Sequence, residues 1–368
     1  MALAPMVSPL WSSTSLSLAD LQALAQHHGV PPEDVLLIAL NLYGVTSSDP
    51  RHRARLSLVL TSAPGTTWNI VGPLNAADSP FRMVGRDLLL GDAVVGTVLS
   101  VDNDEAVGGY FRDGGRAATL NPNARSRCVG CAFCPNTLEA AADPRLSEGM
   151  ELAELFDALR AQHPRHDLSD LVDVTVSTGC FEREDLAVSH LVRLRAVLDS
   201  LDVEARIGFL SSVVRTHDGF AELADRVAPF ILRLTVECFS RRDLLLKASK
   251  ASLDNQHMPE VLRRAQEHGL GTSFTYIVGL DPLDEMRRGV AELMPHVSEF
   301  PGFQIYQAHN RIMAHLRVPG GDELDFYLEA RHVLEEVMSG TGLRPKAWQC
   351  YRSLWYYTFA DEELLPRA

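Results

Sequence analysis

The chain holds 368 residues, 46% of them apolar and 22% charged, ample material for the core of one large or two medium globular domains. Lys and Arg number 34 against 48 Asp and Glu, a net charge of -14, and so acidic a protein is poorly suited to a phosphate backbone, tRNA included. The opening "MALAPMVSPLWSSTSL" has no basic stretch followed by an apolar one, and no segment approaches the roughly 18 to 20 apolar residues of a membrane span; a cytoplasmic protein with no membrane or nucleic-acid partner is expected.

In chain order, "SLAD" from Ser17 is a capping box that starts a helix ending before Gly29, and "PPED" starts a second ending near Gly44. Short strand-like runs follow at 54–60, 66–72 and 93–101, separated by Pro, Gly and Asp turns. Residues 1–104 therefore read as a small α+β accessory region.

From residue 105 the pattern becomes strand and amphipathic helix in alternation. Strands are predicted at 115–121, 171–177, 205–210, 230–237, 272–279 and 303–308, with helices at 150–162, 184–199, 218–227, 257–268, 284–296 and 322–338. Six such units over 105–340 predict a parallel sheet covered by helices, either an open doubly wound sheet or a partial barrel, with a C-terminal tail, 341–368, packed against it. In both architectures chemistry belongs at the C-terminal ends of the strands.

Directly after the first of these strands stands "RSRCVGCAFCPN", with Cys128, Cys131 and Cys134 in seven positions. The remaining cysteines, Cys180, Cys238 and Cys350, are too few and too scattered for a secreted disulfide framework. Three thiolates in one loop can converge on one centre and leave a coordination position open. A zinc knuckle with a distant fourth ligand is one reading; a [4Fe-4S] cluster with one open iron is the other.

The triplet with an aromatic residue before its last cysteine, "CAFC", placed after the first strand of a six-fold β/α run, resembles the cluster loop of the radical S-adenosylmethionine (radical SAM) superfamily. That family usually spaces its cysteines C-x3-C-x2-C, whereas here the first gap is one residue shorter, which predicts a tighter loop with Gly130 absorbing the altered path. "VTVSTGCFE", "LTVECFS" and "TSFTYIVGLDPLDE" are similar to the family's second-, fourth- and fifth-strand segments, the last most like the biotin synthase branch. The resemblance implies a partial (β/α)6 TIM-type barrel, a [4Fe-4S] cluster on Cys128, Cys131 and Cys134, and S-adenosylmethionine (SAM) chelated by the open iron.

It further implies that Phe133, Ser177, Thr178, Gly179, Glu237, Lys250, Ile277, Gly279 and Leu280 bind the cofactor: Ser177 to Gly179 at the methionine amino group, Glu237 at the ribose hydroxyls, and the "IVGL" run beside adenine. For Glu237 a salt bridge to Arg241 or Arg242 is the plainer alternative, and for Lys247 and Lys250 a solvated helix face competes with a contact to the SAM carboxylate. Cys238 and Tyr276 are candidate catalytic residues; Cys180 and Cys238 could donate a hydrogen atom, although most such cysteines are small buried packing residues. Tyr306, Gln307, His309 and Arg311, with Asn310, Trp348 and Arg352, form a polar and aromatic set suited to a polar organic substrate. Trp355, Tyr356 and Tyr357 read as packing residues.

No second cysteine cluster and no domain of a size suited to cobalamin is evident, so the expected activity is that of a single-cluster radical SAM enzyme. It would act on a small polar metabolite of sugar, nucleoside or amino acid type, in a biosynthetic, secondary-metabolite pathway, with an external one-electron reductant such as flavodoxin or ferredoxin. A zinc-binding interaction protein and an iron-sulfur electron-transfer protein are the alternatives.

Overall fold

A computed structural model describes residues 16–75, 79–102, 108–121, 130–134, 149–163, 165–177, 181–346 and 352–364. The chain begins with α1 (Leu18–His28), whose N-terminus carries the expected capping box: the Asp20 N–H donates to the Ser17 hydroxyl oxygen, and the Ser17 N–H donates to the Asp20 carboxylate. Gly29 ends the helix in the left-handed conformation, and α2 (Pro32–Tyr43) follows, nearly all of it buried.

β1 (Arg53–Leu60), β2 (Ala63–Pro73), β3 (Phe81–Val84), β4 (Asp87–Leu90) and β5 (Ala93–Asp102) form an antiparallel sheet in the order β2-β1-β5-β4-β3. The β3–β4 hairpin was not predicted, because each strand is only four residues long, too short for a period-2 signal. This region is locked to the rest of the chain through Asp34 of α2. Its fully buried carboxylate accepts from the Arg331 guanidinium at 2.9 Å and from the backbone N–H groups of Tyr356 and Tyr357 at 2.8 Å.

The second sheet is built from β6 (Gly108–Arg112), β7 (Ala117–Asn121), β8 (Asp173–Val176), β9 (Arg206–Ser211), β10 (Phe230–Glu237), β11 (Gly271–Val278) and β12 (Gly302–Ile305), paired in sequence order. β7 to β12 are parallel, and β6 is an unpredicted antiparallel edge strand on β7. α3 (Gly149–Gln162), α4 (Glu184–Ser200), α5 (His217–Arg226), α8 (Met258–Glu267) and α9 (Leu283–Leu293) cover it, with the short α6 (Arg242–Leu245) and α7 (Ala248–Ala251) between β10 and α8. After β12 come α10 (Arg311–Ala314), α11 (Leu324–Met338) and a terminal hairpin, β13 (Thr358–Phe359) and β14 (Glu362–Glu363).

β8, β10 and β11 each have an apolar and a polar face. Val174 and Val176, Leu232, Leu234 and Val236, and Phe274, Tyr276 and Val278 join the core cluster under the helices. The alternating residues, Asp173 and Thr175, Arg233 and Thr235, Ser273 and Thr275, face the other side. A single cavity is lined from every strand, from Arg112 on β6 through Thr175 and Arg233 to Gln304 on β12. A flat sheet could not bring both edges to one cavity, so the sheet curls, and with β6 and β12 unpaired to each other it is an open (β/α)6 partial barrel with one added strand.

Candidate active site

The barrel interior is closed near the N-terminal ends of its strands by a charge network. The buried Asp173 carboxylate accepts from Arg112 at 3.3 Å, Arg206 at 3.0 Å and Arg233 at 3.2 Å, and Arg206 also pairs with Glu299. Burial pushes the Asp173 carboxyl up, but Arg233, Arg112, the Thr175 hydroxyl and Arg206 together outweigh it and hold it below the usual carboxylate range. Above this network lies the cavity, which reaches Ser177 at the C-terminal end of β8.

At the opposite rim, beyond the C-terminal ends of β10 and β11, a separate apolar cluster gathers Cys131, Phe133, Cys238, Leu245, Leu246, Ile277, Leu280, Tyr306 and Met313, with Cys134 packed on it. The cysteine loop is docked there by its backbone: the Ala132 N–H donates to the Leu245 carbonyl at 2.9 Å, and the Lys247 N–H to the Cys131 sulfur at 3.5 Å. Gly130 has φ 111, and a Cβ there would lie 3.1 Å from the Lys247 Cβ; the path from Cys128 to Val129 lies outside the described residues. Gly279 has φ 108, and a Cβ on it would sit 2.5 Å from the Tyr327 hydroxyl, so the "IVGL" turn requires glycine. Cys128, Thr178, Gly179 and Cys180, like Trp348, lie outside the described residues.

β10 ends in a register break between Thr235 and Glu237 against β11, with Glu237 at φ 67. The Arg242 guanidinium holds this bulge by donating to the carbonyls of Val236 and Cys238, both at 2.6 Å, and to those of Lys250 and Leu253. Glu237 is paired with neither Arg241 nor Arg242; its carboxylate takes the Lys250 ammonium at 2.9 Å, so two residues expected to meet different parts of one ligand meet each other.

The side chains at this rim fit an iron-sulfur cluster with SAM. Lys247, in the loop that grips Cys131, is 8% exposed, and its ammonium is buried with no hydrogen-bond partner among the described residues. A buried unpaired charge is costly, and an anionic group from a ligand resolves it. Two of the three cysteines, an apolar wall and the Lys247 segment therefore meet in one place, a set suited to a cluster and a polar cofactor.

Several predicted site residues are placed differently. Tyr276 faces the helix layer, not the interior: it is fully buried, stacks on Phe239 and donates its hydroxyl to Asp281 at 2.8 Å. Period-2 alternation puts Thr275 and Ile277 inward and Tyr276 outward. Asp281, which sequence reasoning missed, also accepts from the N–H groups of Phe239 and Ser240, joining the ends of β10 and β11. Gln307 is committed to the N-terminal region, its amide donating to the carbonyls of Asn41 at 2.9 Å and Val71 at 2.6 Å.

Tyr306 lies in the apolar cluster, but its hydroxyl is occupied by the Met313 carbonyl at 2.9 Å. Asn310 caps α10, and Arg311 is exposed on that short helix. His309 sits beside His52; burial first, then the charges of Arg53, Arg352 and His52, push its imidazole down to about 3. Cys238 is wholly buried, and burial together with the Asp281 charge pushes its thiol well up, which fits packing. Trp355, Tyr356 and Tyr357 pack as expected, partly on the N-terminal region through Asn41 and Trp68.

No protein-family profile matches the sequence, and no curated protein matches it. Among solved structures the chain is similar to SuiB of Streptococcus suis, solved bound to S-adenosylmethionine, at 9% identity over 52% of this chain and 40% of that one, with a TM-score of 0.37. It is also similar to HydG, a maturase of the [FeFe]-hydrogenase, at 14% identity over 61% of this chain and 54% of that one, with a TM-score of 0.42. A third is coproporphyrinogen III oxidase (HemN) from Escherichia coli, described as a radical SAM enzyme, at 16% identity over 56% of this chain and 50% of that one, with a TM-score of 0.38. The chain thus spans between 40% and 54% of the length of these proteins. Among the described residues no helix is long and apolar enough to cross a membrane.

Proposed function

We propose that the chain is a radical SAM enzyme with one [4Fe-4S] cluster on Cys128, Cys131 and Cys134, acting on a small polar metabolite. The observation that carries this reading is the meeting of Cys131, Phe133 and Cys134 with Ile277, Leu280 and Tyr306 in one apolar cluster, beside the buried, unpartnered ammonium of Lys247. Segments from four distant parts of the sequence converge at the C-terminal rim of a partial barrel, where such chemistry is expected.

The chemistry supplied by the bound group is one-electron cleavage of SAM to methionine and a 5'-deoxyadenosyl radical, which abstracts hydrogen from the substrate. This chain's residues bind and orient. Cys128, Cys131 and Cys134 would hold the cluster through their thiolates and leave a coordination position for SAM. The Lys247 ammonium would meet the SAM carboxylate, Ser177, Thr178 and Gly179 would serve the amino group, and Glu237, held by Lys250, would accept from the ribose hydroxyls. Phe133, Ile277, Gly279 and Leu280 flank adenine and keep water away. A flavodoxin or ferredoxin in the cytoplasm supplies the electron, and the reaction is a lyase, mutase, oxidoreductase or carbon-carbon bond-forming step of a biosynthetic, secondary-metabolite pathway.

The test is anaerobic reconstitution with iron and sulfide, followed by SAM and dithionite. Wild type should show iron-sulfur absorption and release 5'-deoxyadenosine, and Cys131→Ala should lose both. Zinc without visible absorption would indicate a structural site, a cluster without SAM cleavage an electron-transfer protein; either outcome, or an unaffected Cys131→Ala variant, would end this reading.

A further inference from the structure

The cavity inside the barrel has a volume of about 150 Å³, and a pocket of roughly that size accommodates a group of about six heavy atoms, the size of benzene. Its charge is one-sided. Arg112, Arg233, Lys346 and Arg352 line it, and among the described residues no carboxylate does. Among the described residues the nearby acidic groups, Asp173 and Glu299, are already shared among the guanidiniums of Arg112, Arg206 and Arg233. Arg206 and Arg233 thus match these two carboxylates, and among the described residues Arg352 has no carboxylate of its own.

The unsatisfied donors lie at the same place. Arg233 is 9% exposed, and among the described residues its Nε is buried with no hydrogen-bond partner, as are Nε of Arg352 and the hydroxyl of Thr275. The Arg352 guanidinium donates to the neutral amide oxygen of Gln304. Gly208 makes room for the Arg233 side chain in the barrel, since a Cβ there would lie 3.0 Å from its Nε. A neutral ligand would satisfy hydrogen bonds and leave the charge uncompensated, and an ammonium would add to it; an oxyanion answers both needs, because arginine N–H groups suit the planar or tetrahedral oxygens of carboxylate and phosphate.

We propose that this cavity anchors the anionic end of the substrate, a carboxylate or phosphate group held by Arg233 and Arg352 with a hydrogen bond from Thr275, the rest of the molecule extending past Ser177 to the rim. The role of this anion site as a substrate anchor rests on the function proposed above, whereas its capacity to bind anions does not. An amine would be accepted only in a molecule that keeps it at the rim and places an acid inside.

The experiment titrates the full chain, reconstituted anaerobically without substrate, with acetate, malonate or inorganic phosphate at constant ionic strength, following thermal unfolding and calorimetric heat. Glycerol and ethylammonium are the neutral and cationic controls. At least one anion should bind saturably and raise the melting temperature where neither control does; a carboxylate-only or phosphate-only response identifies which acid is carried. Arg352→Gln should weaken that binding about tenfold or more, the loss of one charge-assisted hydrogen-bond pair, and Thr275→Val provides a second variant that leaves the charge network intact. Anions binding no better than glycerol, or equally well in both variants, would overturn the proposal. SAM cleavage is scored separately on the same preparation: cleavage without anion binding removes only the anion site, and anion binding without cleavage removes only the radical SAM reading.

Discussion

Glu237 and Lys250 form an ion pair at 2.9 Å, with both side chains only 12% exposed, at the residue where β10 falls out of register with β11. Glu237 holds a left-handed φ of 67, a conformation that costs a non-glycine residue of order 1–3 kcal/mol and persists only where its surroundings enforce it. Here the enforcement comes from Arg242 on the flanking carbonyls and Lys250 on the carboxylate. The pair fixes a carboxylate at the rim before any ligand arrives.

Lys250→Met should therefore cost about 3 kcal/mol in urea unfolding, the penalty for leaving one charge of a mostly buried pair uncompensated. Adding Glu237→Gln should recover part of that loss. A single-variant cost below about 1 kcal/mol, the value of a surface pair, would show that the carboxylate is solvated and not held.

The six parallel strands and the helices between them were legible because short apolar runs, most of them with β-branched or aromatic residues, alternate with amphipathic helical patterns across turn signals. The polar face is written in the sequence too: D-x-T in β8, R-x-T-x-E in β10 and S-x-T in β11 mark inward positions at period two. That same alternation would have placed Tyr276 outward. What sequence could not supply was partnership at a distance. Lys250 for Glu237, Asn41 and Val71 for Gln307, and Asp281 for Tyr276 depend on how loops return to the barrel, and β6 is recognisable as a strand only by its pairing with β7.

Asp173 should be the acid-sensitive point of the barrel. Its carboxyl lies below the ordinary range in the folded state, so its contribution to stability is complete above the unfolded value near 4 and is lost as pH falls through the folded value. Asp173→Asn removes the charge that three guanidiniums share and should cost about 3–5 kcal/mol at neutral pH. Chemical unfolding of both proteins across an acid series should show the gap closing as the wild-type carboxyl protonates; a gap independent of pH would mean that packing, not charge, is responsible.

Gly208→Ala tests whether Arg233 owes its position to a missing side chain. The new methyl carbon would lie 3.0 Å from Arg233 Nε and 3.2 Å from the Thr175 hydroxyl, so the guanidinium must move. Overpacking of this kind costs about 1–3 kcal/mol, and the displaced arginine should weaken anion binding in the cavity. Unchanged stability and unchanged anion affinity would show that the interior has slack the distances do not suggest.

His309 was expected to serve the substrate, and its charge state limits how. Burial, followed by Arg53, Arg352 and His52, brings its imidazole to about 3, against 6.5 for an ordinary histidine. At neutral pH it is uncharged and can give or accept a hydrogen bond, but it cannot be a cationic anchor beside Arg352. Between pH 6.5 and about 3 the unfolded chain takes up a proton that the folded chain refuses, so acidification across that window draws the equilibrium toward unfolding, and His309→Gln should remove that part of the slope. The direct measurement is the imidazole carbon-bound proton shift, followed by NMR as pH is lowered; a midpoint near 6 would mean that the ring is solvated and free to charge.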